Sequence, residues 1–279
     1  MRQVSTEAIR RAVIGCIERA EYFIDPEIAG AMRCAERSER SPIAKRVLSQ
    51  LIENYEIAAC EHIAICQDTG MCIVFAEIGQ EVHITDGYFE DAVNDGVREA
   101  YKGLRKSIVS DPLFDRKNTQ DNTPAVIHAR IVPGDKLRLT VLCKGFGSEN
   151  MSRIKMLTPS AGEQGVIDFA VETALLAGAN PCPPIIMGIC IGGDFEQAAL
   201  YAKKMIAQSL RYEPEDERYR ALQEEITLRI NALGIGPAGF GGDTTLIKLN
   251  IAYLPTHIAG MPCAISVCCH ASRHAECIL

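Results

Sequence analysis

The stretch Cys66-Gln67-Asp68-Thr69-Gly70 sets a thiol, an amide, a carboxylate, a hydroxyl and a glycine in consecutive positions just ahead of an apolar run, Met71 to Phe75. Once fixed in place, a thiolate is a metal ligand and a carboxylate a general base. Two further thiols stand in comparable positions. Cys182 lies between Pro181 and Pro183-Pro184, and Cys269 closes an apolar stretch before the polar His270-Ala271-Ser272-Arg273-His274. Prolines around Cys182 reduce the backbone freedom lost when its side chain is fixed toward a site, as a metal ligand requires. There is no C-x-x-C pair. Zinc-ribbon, thioredoxin-like and bacterial ferredoxin spacings are therefore excluded, and any metal site must be assembled from distant loops. On residue types alone, each feature has two readings. The three cysteines are ligands or unrelated turn cysteines, and Asp68 is a base or a cap on the Thr69-Gly70 turn.

The elements that must position these residues follow from hydrophobic periodicity and turn signals. Thr6 to Glu56 reads as two or three amphipathic helices, broken near Asp25-Pro26 and again between Ser38 and Pro42, where Ser41-Pro42 resembles a cap followed by a first-turn proline. Strands are expected over Met71 to Glu77 and Glu81 to Thr85, then a helix from about Tyr88 to Lys106 with Arg105 in its last turn. Asp111 to Ala125 is polar, proline-punctuated chain of the kind compact domains keep for binding. Ala125 to Ile131 and Lys136 to Cys143 flank Pro133-Gly134-Asp135 and read as a hairpin leading to Lys144-Gly145-Phe146-Gly147. Helices are expected near Gly165 to Ala177, Asp194 to Ser209 and Pro214 to Leu233. Strand-like runs end at Gly192-Gly193 and cover Thr245 to Tyr253 and Met261 to Val267. Strands and helices mix without a βαβ repeat. The expected fold is therefore α+β, with mixed sheets flanked by helices and a helical N-terminal segment, in a single domain over residues 1–279. Gly234 to Gly239 satisfies G-x-G-x-x-G, but it follows a helix and carries Pro237, so it reads as a helix-ending glycine and a turn and not as a dinucleotide fingerprint.

A chain of 279 residues with 47% apolar and 23% charged residues has the balance of an ordinary soluble protein. Its formal charge is −7, which argues against nucleic acid or an acidic membrane surface as partner. Charges among the first twenty residues interrupt any secretory signal, and no segment is apolar for long enough to span a bilayer, so a cytoplasmic location is expected. In that compartment the twelve cysteines are not a disulfide framework. Most, including Cys16, Cys34 and Cys60, fall on apolar helix faces as small hydrophobes.

Taken together and in order, CQDTG (66–70), KGFGSEN (144–150), NPCPP (180–184), GIGPAGFGGDTT (234–245) and CHASRH (269–274) resemble the class I, iron–sulfur fumarate hydratases over nearly the whole chain. The resemblance is to the cluster-bearing N-terminal half of the single-chain enzymes, or to the α subunit of the two-subunit form. The family's second part, a β subunit or C-terminal domain, has no counterpart in these residues. The resemblance implies a [4Fe–4S] cluster held by Cys66, Cys182 and Cys269, with Cys268 adjacent to the third. Three thiolates leave one iron with an open position, the condition for Lewis-acid chemistry. The implied reaction interconverts (S)-malate and fumarate, with Asp68 serving the C3 proton alongside a hydroxyl from the β subunit. Gln67, Asp68, Arg105, Gly145, Gly147 and His257 match substrate-side positions. Lys144, Arg153, Lys155 and Arg273 are further cations. The implied partners are a fumarase β subunit, in an αβ or α2β2 assembly, and a small dicarboxylate. The α subunits of L(+)-tartrate dehydratase share the cysteine motifs, and mesaconate hydration differs by one methyl. Phe146 stands where many members have a third glycine. A redox or iron-sensing protein, with Cys268 or Cys72 as fourth ligand, is the reading from another class.

Overall fold

The computed structural model describes residues 2–279. The chain opens with β1 (Arg2–Ser5), α1 (Thr6–Tyr22), α2 (Pro26–Ser38) and α3 (Pro42–Glu61). β2 (Met71–Gly79), β3 (Val82–Thr85), α4 (Phe89–Ala100), β4 (Val126–Val132) and β5 (Leu137–Lys144) follow. After the single turn α5 (Phe146–Glu149) come β6 (Arg153–Leu157), α6 (Gly162–Ala177), β7 (Ile185–Gly193), α7 (Phe195–Met205) and α8 (Glu217–Asn231). β8 (Leu246–Thr256), β9 (Met261–Cys268) and β10 (His274–Ile278) complete an α+β fold. The breaks among the first three helices fall where the prolines place them, and Ser41 Oγ accepts the Ala44 N–H at 3.3 Å, as a cap should.

Two compact units divide the chain. Among the described residues one comprises 2–25, 55–146 and 273–279, the other 26–54 and 147–272. The first unit is built on a four-stranded sheet in the order β10-β5-β2-β4, with β1 and β3 paired beside it. Alternate residues of β2 (Cys72, Val74, Ala76) and β5 (Leu137, Leu139, Val141, Cys143) meet Ile9, Val13, Cys16, Ile17 and Ala20 of α1 and Phe89, Val93 and Val97 of α4 in one core. The helical residues recur every three or four positions, which aims one stripe at the sheet.

The expected hairpin between β4 and β5 does not form. β2 lies between the two strands, parallel to β4 and antiparallel to β5. The Pro133-Gly134 connection instead wraps the end of β2: Gly79 N–H donates to Lys136 O, Gln80 N–H to Val132 O and Glu81 N–H to Gly134 O. Sequence neighbours are thus separated by a strand whose unbroken apolar run needs partners on both edges. The expected helix to Lys106 ends early, at Ala100. A turn over Tyr101 to Leu104 takes its place, with Gly103 costing about 1 kcal/mol in a helix interior, and Arg105 lies beyond it in irregular chain.

In the second unit the sheet order is β6-β9-β7-β8. Met187, Ile189 and Ile191 of β7 face α6 and α8, and Cys190 faces Ala198, Ala202 and Met205 of α7. The GIGPAG segment follows α8 as a turn, with Gly234 and Gly236 at positive φ. No helix among the described residues is long and apolar enough to cross a membrane.

A Cβ on Gly188 would stand 2.1 Å from the Ala202 carbonyl oxygen, so the seat of α7 on β7 depends on glycine there. Gly188→Ala should lower the unfolding free energy by about 2–3 kcal/mol. Gly15→Ala, in open space on α1, should raise it by up to about 1 kcal/mol. Urea midpoints of the two variants measure both effects.

Candidate active site

The Asp68 carboxylate is held from both sides. Its Oδ1 accepts the Gly70 N–H at 3.0 Å, and its Oδ2 accepts the Phe146 N–H at 2.8 Å. The donors lie beyond the ends of two antiparallel strands, in register at Met71 and Lys144, so one end of the β2–β5 ladder assembles the site. The preceding stretch is pinned by groups outside the motif. Thr69 Oγ1 donates to the Arg105 carbonyl at 2.7 Å, and the buried Tyr101 hydroxyl donates to the Thr69 carbonyl at 2.7 Å. Asn122, fully buried, donates through Nδ2 to Gly70 O at 3.1 Å and accepts the Ser107 N–H at 2.7 Å. The polar segment expected to bind something therefore braces the Asp68 turn through Asn122.

Gly145 is the narrow point. A Cβ there would lie 3.0 Å from Asp68 Oδ2 and 3.2 Å from Arg273 Nη2. Arg273 is buried and donates through Nη1 to Glu21 Oε2 at 3.0 Å. Burial pushes the Glu21 carboxyl up from its ordinary 4.5 to about 7, the Asp68 charge adding to the rise while Arg273 and Cys143 oppose it. Lys144 is also buried, its Nζ donating to Gly145 O at 3.2 Å. Gln67 is exposed and accepts from Cys66 Sγ at 3.5 Å. Arg105 is exposed, and its carbonyl serves Thr69.

The remaining candidates belong to the second unit. Gly147 is exposed, with a Cβ position 3.5 Å from the Asn180 carbonyl. His257 sits exposed at the β8–β9 turn, where its Nδ1 accepts the Ala259 N–H at 3.1 Å. Cys182 is exposed at φ +52°, a backbone state costing about 1–2 kcal/mol for an L-residue, and its N–H is tied to Ala179 O. Cys269 is half-buried just past β9, whereas Cys268 is buried within it.

All twelve cysteines are thiols. Cys34 and Cys60 are exposed, not packed as expected. In α2 the buried stripe runs Ile28, Met32, Ala35, and a residue two places from Met32 points to the far side of a 3.6-residue helix. Cys72, one of the two thiols considered as a fourth ligand, is fully buried, and burial pushes its thiol far up, away from the thiolate a metal needs. Among the described residues no three His, Cys, Asp or Glu side chains gather as ligands of a single ion would. A four-iron cluster makes a different demand, spreading its thiolates over separate corners. Cys66, Cys182 and Cys269 suit that demand in chemistry, since all three are on irregular chain beside strand ends and at least partly accessible.

Residue types did not mark Glu21, Tyr101 or Asn122. Glu21 sits among apolar residues late in α1, and only its charge on a buried stripe distinguishes it.

Asn122→Ala leaves the buried Gly70 carbonyl without its donor and the part-buried Ser107 N–H without its acceptor, and should cost about 1–3 kcal/mol in a urea titration. Because the folded pKa of Glu21 exceeds the unfolded one, the native state holds a proton that the unfolded chain releases. That contribution to stability is complete below about pH 4.5 and lost as pH rises through about 7. The difference in unfolding free energy between wild type and Glu21→Gln should therefore move against wild type from pH 5 to pH 8.

A model of the family described as fumarate hydratase (Fumerase) matches residues 10–278. A Methanocaldococcus jannaschii protein provisionally named L(+)-tartrate dehydratase subunit alpha is 34% identical over 96% of this chain and 96% of its own length. The L(+)-tartrate dehydratase subunit alpha of Escherichia coli K12 and that of Shigella sonnei are each 27% identical over 88% of this chain and 82% of their own. A match of this extent, carrying the turn that holds Asp68 and the strands that frame it, means that the chain belongs to the fumarate hydratase (Fumerase) family of hydro-lyases.

Proposed function

We propose that the chain is the α subunit of an iron–sulfur hydro-lyase that interconverts (S)-malate and fumarate in complex with a β subunit. The observation that carries this reading is the Asp68 carboxylate, oriented by one backbone N–H on each oxygen. A weakly acidic C3 proton needs a base fixed within hydrogen-bond reach. Asp68 supplies a carboxylate with little rotational freedom left to lose, working with a hydroxyl from the β subunit. Cys66, Cys182 and Cys269 would hold a [4Fe–4S] cluster, which when bound supplies a Lewis-acidic iron for the departing hydroxyl. The exposed Arg105 suits a substrate carboxylate, for which arginine offers a two-pronged match. Gln67 and His257 contribute polar contacts, and Gly145 and Gly147 allow close backbone approach.

L(+)-tartrate is the second reading, favoured by the names of the relatives in Methanocaldococcus jannaschii and Escherichia coli. Tartrate is malate with one further hydroxyl, on the carbon that gives up the proton. A pocket built to hydrogen-bond that hydroxyl would reject malate strongly, whereas a pocket that merely tolerates it would not.

The test is co-expression with the β subunit and anaerobic assay of both diacids. Wild type should carry a stoichiometric cluster and dehydrate (S)-malate. Asp68→Asn should lower kcat by about 10²–10⁴-fold with KM little changed. Ser at 66, 182 or 269 should deplete iron. An iron-loaded wild-type complex inert toward both diacids would overturn the proposal, and turnover of L(+)-tartrate alone would select the second reading.

A further inference from the structure

The Glu21–Arg273 pair is buried at both ends, with side chains 0% and 2% exposed. Replacing such a pair with well-packed apolar side chains commonly costs a fold nothing, so stability alone gives no reason for it. Its geometry offers one. Nη1 is tied to Glu21 and the Arg273 carbonyl accepts the Cys143 N–H at 2.9 Å, so the residue is anchored at side chain and backbone. Nη2 then stands over Gly145, contacting the same point in space as Asp68 Oδ2, at 3.2 and 3.0 Å from where a Cβ would be. That same oxygen accepts the Phe146 N–H. Arg273 Nη2 and Asp68 Oδ2 therefore flank the same glycine, and the oxygen on that side is the one the amide bonds.

We propose that Arg273 is the positioning residue of Asp68: clamped by buried Glu21, its guanidinium fixes the carboxylate against the Phe146 N–H, and Gly145 is glycine because no side chain fits between them. The planar fork serves this purpose and a lysine ammonium does not, because a guanidinium can bond Glu21 through one nitrogen while presenting another to the far side. Arg273 touches no substrate in this scheme and acts through Asp68.

Hydrogen exchange of the full chain, followed by mass spectrometry, reads the clamp without activity. In Arg273→Met, exchange of the peptide carrying the Phe146 amide should rise about tenfold while Leu139 to Val141 in β5 keep their protection; in Arg273→Lys the rise should be about threefold. In the complex with the β subunit, Arg273→Lys should lower kcat about tenfold or more with KM within about threefold, the signature of a misplaced group. This kinetic arm rests on the proposed role of Asp68, and the exchange arm does not. Unchanged Phe146 protection, or loosening spread equally through β5, overturns the inference; if Arg273→Met does not fold, Arg273→Lys decides alone. A wild-type complex without hydro-lyase activity, beside the expected exchange result, would sink the functional reading and leave the clamp standing.

Discussion

Antiparallel pairing of β2 with β5, in the register that sets Met71 opposite Lys144, is the constraint from which the site follows. The turn before one strand and the turn after the other must then lie at the same end of the ladder. Gly70 adopts φ +73°, and a Cβ on it would meet the Lys144 carbonyl carbon at 2.6 Å, so the two turns touch through backbone. Only with that contact can the N–H groups of Gly70 and Phe146 reach one carboxylate. A slip of one residue would turn every side chain of the strand to its other face. It would also carry Cys72, Val74 and Ala76 out of the core they share with α1 and α4. Hydrophobic burial thus fixes the register, and the register fixes the Asp68 carboxylate.

Much of this fold is legible in the residues. The prolines at 26 and 42, the apolar stripes of α1 and α4, and the run of β7 each state their element, because local propensity and tertiary packing agree there. Legibility fails where the deciding partner is remote. Pro133-Gly134 supplies good hairpin chemistry, but β2, more than fifty residues upstream, competes for both strands and wins. β10 is too short and polar to announce itself, and it becomes a strand only because β5 has an open edge for it. The end of α4 is similar: the pattern continues past Ala100, but Tyr101 turns inward to serve the Thr69 carbonyl.

The site divides along the same line. Asp68 is visible because a carboxylate beside a thiol and a glycine stands out in sequence, although residue types alone leave it a base or a cap, and it does bond the Gly70 N–H. Most of its support is invisible, since Tyr101, Asn122 and Glu21 come from separate stretches with no local pattern, and Arg273, a cation in the CHASRH motif, does not announce its partner. Buried polar groups of this kind are bound by a satisfaction rule and not by a sequence rule. Each is there because a specific carbonyl, amide or charge would otherwise be stranded. A search for polar residues on otherwise apolar stripes would have raised Glu21, but it would not have supplied its partner.

The thiols show how burial sorts residues that composition cannot. Burial raises the thiols of Cys190 and Cys263 to about 12 and pushes that of Cys143 well above its ordinary range. Such groups stay protonated, pack as small hydrophobes and make poor ligands. Cys34 and Cys60 are exposed on helices, where a rigid cylinder leaves no chain to bend toward a cofactor. Cys66, Cys182 and Cys269 combine access with irregular backbone. Cys182 goes further by holding a positive φ that an L-residue adopts only when its surroundings insist. Twelve identical side chains therefore have unequal chemistry. What distinguishes the three is their access to solvent and the irregular chain that carries them.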